Sequence, residues 1–305
     1  MRATPKCIPC YLKQALAAAR EVTDEPETQR RAINEAATIL PQLTMDKSPA
    51  HNSTYVLWRA QEVLGCPDPF AAKKRHYNQL ALEMYPQLKA TVEHSSHRLS
   101  TAIRVAAAGN VIDLGILDRA QVDLAGDLKG VVSEGFAVDE CGLLERKLAR
   151  GARVLYLADN AGETVFDRVL IEELAERDVE ITVAVKGQPI LNDATMEDAL
   201  YAGLEEIAHL ISNGSPMIGT ELETCSPEFL RHFHSADIIV SKGQANFETL
   251  NEIPTDIFFV LKAKCSEVGR ELGVATGDVV ALFNHSADHA ARAKDRGRRS
   301  VAERR

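Results

Sequence analysis

The chain predicts an α/β fold, a doubly wound and mainly parallel sheet preceded by an N-terminal helical domain. Two observations carry this. Up to about residue 128 the apolar residues recur at helical spacing without strand-like alternation, whereas after Arg150 short apolar runs alternate with amphipathic segments. Those runs are near-continuously apolar, as strands are when helices cover both faces of a parallel sheet. With 305 residues and 45% hydrophobic content, the chain buries roughly 75% of its unfolded surface and needs no disulfide framework.

The helical part is expected over residues 1–125. Residues 11–22 are rich in Ala and Leu, with Leu12, Leu16 and Ala19 at helical spacing. Residues 27–40 place Ile33, Ala36, Ala37 and Leu40 on one face, and Pro41 ends them. A third helix is expected over 54–64, stopped by Gly65 and Pro67, followed by helices over 70–88, ending near Pro86, and 92–108. The α/β part is expected over 126–285. Its strands are the runs 153–158, 179–185, 237–240, 257–261 and 279–283, with helices over 164–177, 195–203, 227–234 and 267–272. From 288 onward seven Lys/Arg stand against three Asp/Glu with almost no large apolar residue. Residues 286–305 are accordingly expected to be a basic, disordered tail.

Charge narrows the function classes. Lys and Arg total 35 against 44 Asp and Glu, a formal net charge of −9, which disfavours a nucleic-acid surface. No apolar run approaches the roughly 18 residues of a membrane span, and the start lacks the apolar stretch of a signal peptide. A soluble cytoplasmic protein is expected, with no nucleic-acid or membrane partner. The six cysteines are scattered, apart from Cys7-Ile8-Pro9-Cys10. That C-x-x-C has no second pair to complete a zinc tetrahedron and no preceding strand to make a thioredoxin-like motif, so a chemical role and a helix-start packing role both stay open.

Ligands of an open parallel sheet bind outside the carboxyl ends of its strands, and the residues after each expected strand are clustered Asp, Asn, Lys and Gly. They are Asp159-Asn160-Ala161-Gly162-Glu163, Lys186-Gly187 with Asn192-Asp193-Ala194-Thr195, Ser241-Lys242-Gly243-Gln244-Ala245-Asn246-Phe247-Glu248, and Lys262-Ala263-Lys264-Cys265. Asp159, Asn160 and Asp193 form an all-oxygen set of the kind that hard divalent cations such as Mg²⁺ or Mn²⁺ prefer. The strand-end lysines could bind a phosphate as point charges, and backbone N–H groups after Gly162 and Gly243 could serve the same anion. Each cluster has a plain structural alternative: an Asx turn or helix cap for the Asp and Asn residues, solvated strand ends for the lysines. Four clusters on one edge favour a site. There is no G-x-G-x-x-G, no lysine in the P-loop-like spacing of Gly214 to Gly219, no second Asp two residues after Asp159, and no zinc-type histidine pair.

These four clusters, together with Lys6-Cys7-Ile8-Pro9-Cys10, Asp46-Lys47-Ser48-Pro49 and Gly109-Asn110-Val111-Ile112-Asp113, resemble the damage-control phosphatases. These are ARMT-like metal-dependent phosphatases formerly classed as a domain of unknown function, and the resemblance, over about residues 5–285, is to their prokaryotic branch. It implies a Rossmann-like three-layer αβα core. It implies a divalent metal (Mn²⁺, Co²⁺, Ni²⁺ or Mg²⁺) on Asp159, Asn160 and Asp193, and hydrolysis of small phosphorylated metabolites, including sugar phosphates and damaged cofactor precursors. Gly243, Gln244, Ala245 and Asn246 would contact substrate, as would Asn160. Lys262 would hold the phosphate and stabilise its charge in catalysis, with Lys264 as its rival. Asp159 is a second catalytic candidate, as a transient nucleophile. Glu163 would support the metal or act as a base, and Asn110 and Asp113 would close the site from the helical side. Two other classes compete: a non-catalytic metabolite- or nucleotide-binding protein, and a carboxyl methyltransferase using S-adenosylmethionine. The last should show a Gly-rich first loop and an acidic end to the second strand, where this chain has a single Gly162 and Lys186.

Overall fold

The computed structural model describes residues 1–111 and 135–284, with the side chains of Asn110 and Val111 excepted. The expected tail over 286–305, the expected boundary between 125 and 126, and Asp113 lie outside the described residues. The helices of the first part are α1 (Ile8–Val22), α2 (Pro26–Thr38), α3 (Pro49–Leu64), α4 (Ala71–Glu93) and α5 (Arg98–Val111). Helix α3 begins at Pro49, ahead of the expected start at 54, because the residues before it supply a cap. Ser48 accepts the His51 N–H at 3.0 Å, Pro49 occupies the first turn, and Gly65 ends the helix in the left-handed region. Helix α4 does not stop at Pro86 as expected. Tyr77, Ala81, Leu88 and Val92 anchor it to the core on both sides of the proline. Pro86 itself faces solvent, where water can satisfy the carbonyl that it leaves without a partner.

The second part is a seven-stranded sheet in the order β1-β7-β6-β5-β2-β3-β4. Its strands are β1 (Val138–Asp139), β2 (Arg153–Leu157), β3 (Glu180–Val185), β4 (His209–Ser212), β5 (Ile238–Lys242), β6 (Ile257–Lys262) and β7 (Val279–Phe283). All neighbours are parallel except β6 and β7. The strands are interleaved with α6 (Cys141–Lys147), α7 (Glu163–Ala175), α8 (Met196–Tyr201), α9 (Pro227–Ser235), α10 (Gln244–Leu250) and α11 (Ser266–Leu272).

Side-chain alternation along β2 builds the three layers. Val154 and Tyr156 enter one apolar cluster with residues of α4, α5 and α7. Leu155 and Leu157 enter the opposite one, with Phe229 and Phe233 of α9, Phe247 of α10, and Val268 and Leu272 of α11. Burying each such large side chain contributes about 1.5–3 kcal/mol. Helices α1, α2 and α3 pack into a cluster of their own, whereas α4 and α5 cover the sheet.

The strand order places the site. From β2 the chain moves to β3 and β4 on one side, then crosses back to lay β5 on the other side. The reversal between β2 and β5 is the place where open parallel sheets bind ligands outside their carboxyl ends, and Asp159 and Gly243 follow these two strands. Among the described residues no helix is long and apolar enough to cross a membrane.

Candidate active site at the carboxyl edge of the sheet

The loops after β2 and β3 are joined by backbone hydrogen bonds. The Asp159 carbonyl accepts the Ala194 N–H at 2.8 Å, and the Ala161 N–H reaches the Asn192 carbonyl at 2.9 Å. Asn160 and Asp193 thereby form an antiparallel bridge. Leu191, just before this loop, adopts φ +48°, a conformation that costs a non-glycine residue about 1–3 kcal/mol and clusters at functional sites. Two residues called from distant parts of the sequence, Asp159 and Asp193, are thus fixed side by side with Asn160.

Both carboxylates are buried. Burial, with the negative charges of Glu163 and Asp193 beside it, pushes the Asp159 carboxyl well above the usual carboxylate range, against the opposing pull of Lys264 and Lys242. Asp193 is also raised, by burial first, with Lys186 opposing. Its Oδ2 is buried without a hydrogen bond and faces Lys186 Nζ at 3.4 Å. Asn160 Nδ2 donates to Glu163 Oε1 at 2.6 Å and to Asp159 Oδ2 at 2.9 Å. Among the described residues no group of three or more His, Cys, Asp and Glu side chains is arranged as a metal cage. The set here is two carboxylates and an amide, and its chemistry suits a hard cation: buried oxygen ligands gathered at one point.

Gly243 shows how closely the β5 loop approaches. Its φ is +82°, and a Cβ on it would lie 2.0 Å from Asp159 Oδ2, so only glycine lets the β5 end pass the Asp159 carboxylate. The Gly243 N–H donates to the Val260 carbonyl at 3.1 Å, and the Gly162 N–H to Asn78 Oδ1 at 2.6 Å. These two N–H groups are therefore engaged within the fold. Gln244 donates to Glu248 and accepts the Lys264 N–H at 2.9 Å, which ties α10 to the end of β6. Ala245 packs against the apolar cluster containing Ile190 and Ile218. Asn246 is buried and binds the carbonyls of Ala158 and Lys242 and the Thr220 hydroxyl, an arrangement that ties α10 to the ends of β2 and β5.

The lysines separate into two kinds. Lys186 donates to the carbonyls of Met217, at 3.2 Å, and Gly219, and Lys242 is fully buried among protein acceptors. Lys262 is half-buried at the last position of β6 and Lys264 is exposed two residues later. Lys264 is near enough that its charge draws down both Asp159 and Asp193. Asn110 closes helix α5, but its side chain lies outside the described residues.

Sequence reasoning passed over the support from α4. Asn78 links the Gly162 N–H to Asp198 Oδ1 at 2.8 Å, and Asp198 caps α8 by accepting from Thr195. Lys74 lies 3.6 Å from the same carboxylate. Lys74, Asn78 and Ala81 share one helix face at i, i+4 and i+7, so two polar residues on an apolar stripe were the available signal. The C-x-x-C lies at the start of α1: Cys7 is buried, Cys10 exposed, and both are free thiols.

Three comparisons bear on this arrangement. Residues 3–280 match the model of the damage-control phosphatase ARMT1-like domain. A damage-control phosphatase of Archaeoglobus fulgidus is 36% identical over 286 residues, covering 92% of this chain and 99% of the relative. The damage-control phosphatase PH1575 of Pyrococcus horikoshii is 34% identical over 287 residues, 93% of this chain and 99% of its own. The crystal structure of that duf89 family protein superposes with a TM-score of 0.86, again over 93% and 99% of the two chains.

Proposed function

The chain belongs to the damage-control phosphatase ARMT1-like family, and from that premise we propose that it is a divalent-metal-dependent phosphatase of small phosphorylated metabolites. The observation that carries the reading is the joining of the β2 and β3 loops, which brings the oxygen-bearing side chains of Asp159, Asn160 and Asp193 together in a buried place. These three residues would hold Mn²⁺, Co²⁺, Ni²⁺ or Mg²⁺. When bound, the cation supplies the Lewis-acid charge that polarises a phosphoryl oxygen and activates water.

The chain's own residues do the rest. Lys264, exposed at the rim, meets the incoming phosphate as a point charge, with Lys262 behind it at the end of β6. Gln244 fixes the backbone of Lys264 and thereby aims this end of β6. Gly243 lets the β5 loop close over Asp159. Asn246, bonded to the carbonyls at the ends of β2 and β5, holds these strand ends in fixed register for the reaction. The acidic chain as a whole disfavours polyanionic polymers.

The test is hydrolysis of an aryl phosphate after chelation and after adding back each divalent metal. Wild-type activity should vanish on chelation and return with metal. Asp159→Asn and Asp193→Asn should each lower the rate about 10²–10³-fold or more, the scale of losing a transition-state electrostatic contact. Full turnover in chelator, or undiminished turnover in either variant, would overturn the reading.

A further inference from the structure

Lys242 stands at a strand end where the sequence suggests a phosphate ligand, yet it is fully buried. Its Nζ lies 2.6 Å from Asp167 Oδ1, 2.8 Å from the Ala106 carbonyl of α5, and 3.5 Å from Glu163 Oε2. An ammonium has three donors, and three protein oxygens surround this one. The Tyr156 hydroxyl donates to Asp167 Oδ1 at 2.7 Å, so the lysine's main partner is itself held. Glu163, the first residue of α7, is buried as well. One of its oxygens faces Lys242, while the other accepts Asn160 Nδ2 at 2.6 Å.

That last contact has a chemical consequence. An asparagine ligates a hard cation through its carbonyl oxygen, since the amide nitrogen carries only donors. With Nδ2 bound by Glu163 Oε1 and Asp159 Oδ2, Oδ1 is the atom of the amide that remains to ligate. We propose that Glu163 and Lys242 are positioning residues for Asn160: the lysine clamps the glutamate, and the glutamate fixes which end of the amide is offered to the metal. Partners of this outer kind are worth about 10–100-fold in metal affinity. The inference rests on the metal-dependent reading and goes beyond it by assigning two residues that touch neither metal nor substrate.

The experiment is Mn²⁺ binding followed by the loss of the free-ion EPR signal, in wild type, Glu163→Gln, Asn160→Ala and the double variant, with melting temperatures alongside. Glu163→Gln should weaken Mn²⁺ binding about 10–100-fold. Asn160→Ala has no amide to orient, so adding Glu163→Gln to it should change the affinity by less than about threefold. A purely structural role for Glu163 predicts equal losses in both backgrounds, and that result would overturn the proposal. So would wild-type affinity in Glu163→Gln. A wild-type protein that binds no Mn²⁺ would instead overturn the metal reading, and this inference with it. Lys242→Met, where it folds, should reproduce the loss seen in Glu163→Gln.

Discussion

Neighbouring strand ends along the carboxyl edge treat lysine differently. At the ends of β3 and β5, Lys186 and Lys242 are buried and engaged by backbone carbonyls and carboxylates. At the end of β6, Lys262 and Lys264 reach the rim. The same residue type near the same strand ends is therefore held in two ways, wholly inside the protein or with its charge near water. Burial decides between them, because an ammonium withdrawn from water must be fully compensated by its neighbours.

The sharpest way to break this comparison is to remove one lysine of each kind. Lys242→Met leaves Asp167 without its cation in the core and should cost about 3–5 kcal/mol, read from chemical denaturation. Lys264→Met should stay within about 0.5 kcal/mol of wild type. Equal stability losses would erase the distinction.

A smaller effect concerns Glu248, a buried carboxyl next to the site. Burial pushes it up to about 7 from an ordinary 4.5, although Gln244 and the Ala50 N–H bind it. The sign follows from proton binding. Between those two values the folded chain holds a proton that the unfolded chain has released, so stability falls as pH rises from 4.5 through about 7. Glu248→Gln should remove that slope and gain about 1–3 kcal/mol at pH 8 relative to pH 4.5, seen as a flatter curve of melting temperature against pH. An unchanged slope would assign the pH dependence to other groups.

The finest test separates the two rim lysines. Lys264→Met should raise KM for an aryl phosphate about 10-fold with little change in melting temperature, the scale of one charge-assisted contact. Lys262→Met, further back, should raise it less. The reverse order would return the phosphate to Lys262.

Much of this was legible in the sequence. The five longest strands declared themselves because each is a continuous apolar run, and a parallel sheet converts such runs into one functional edge. Strand β4 (His209–Ser212) escaped notice because an edge strand with one fully buried residue has no such run, and β1 because it is two residues long. Proline 86 misled because local propensity cannot see the tertiary packing that carries α4 through it. Asp159, Asn160 and Asp193 were legible as an oxygen set, and their juxtaposition is what the backbone ladder adds. The fate of Lys242 was not legible. Nothing local distinguishes it from Lys262, since its partners Asp167 and Ala106 come from α7 and α5, 75 and 136 residues away.

The central claim is that the β2 and β3 loops form a divalent-metal site. A crystal soaked in Mn²⁺ and measured for anomalous scattering tests it most directly. The account predicts one strong peak bonded to Asp159, Asn160 and Asp193, absent in Asp193→Asn. A peak held by other residues, or none at this edge with Mn²⁺ in excess, would contradict it.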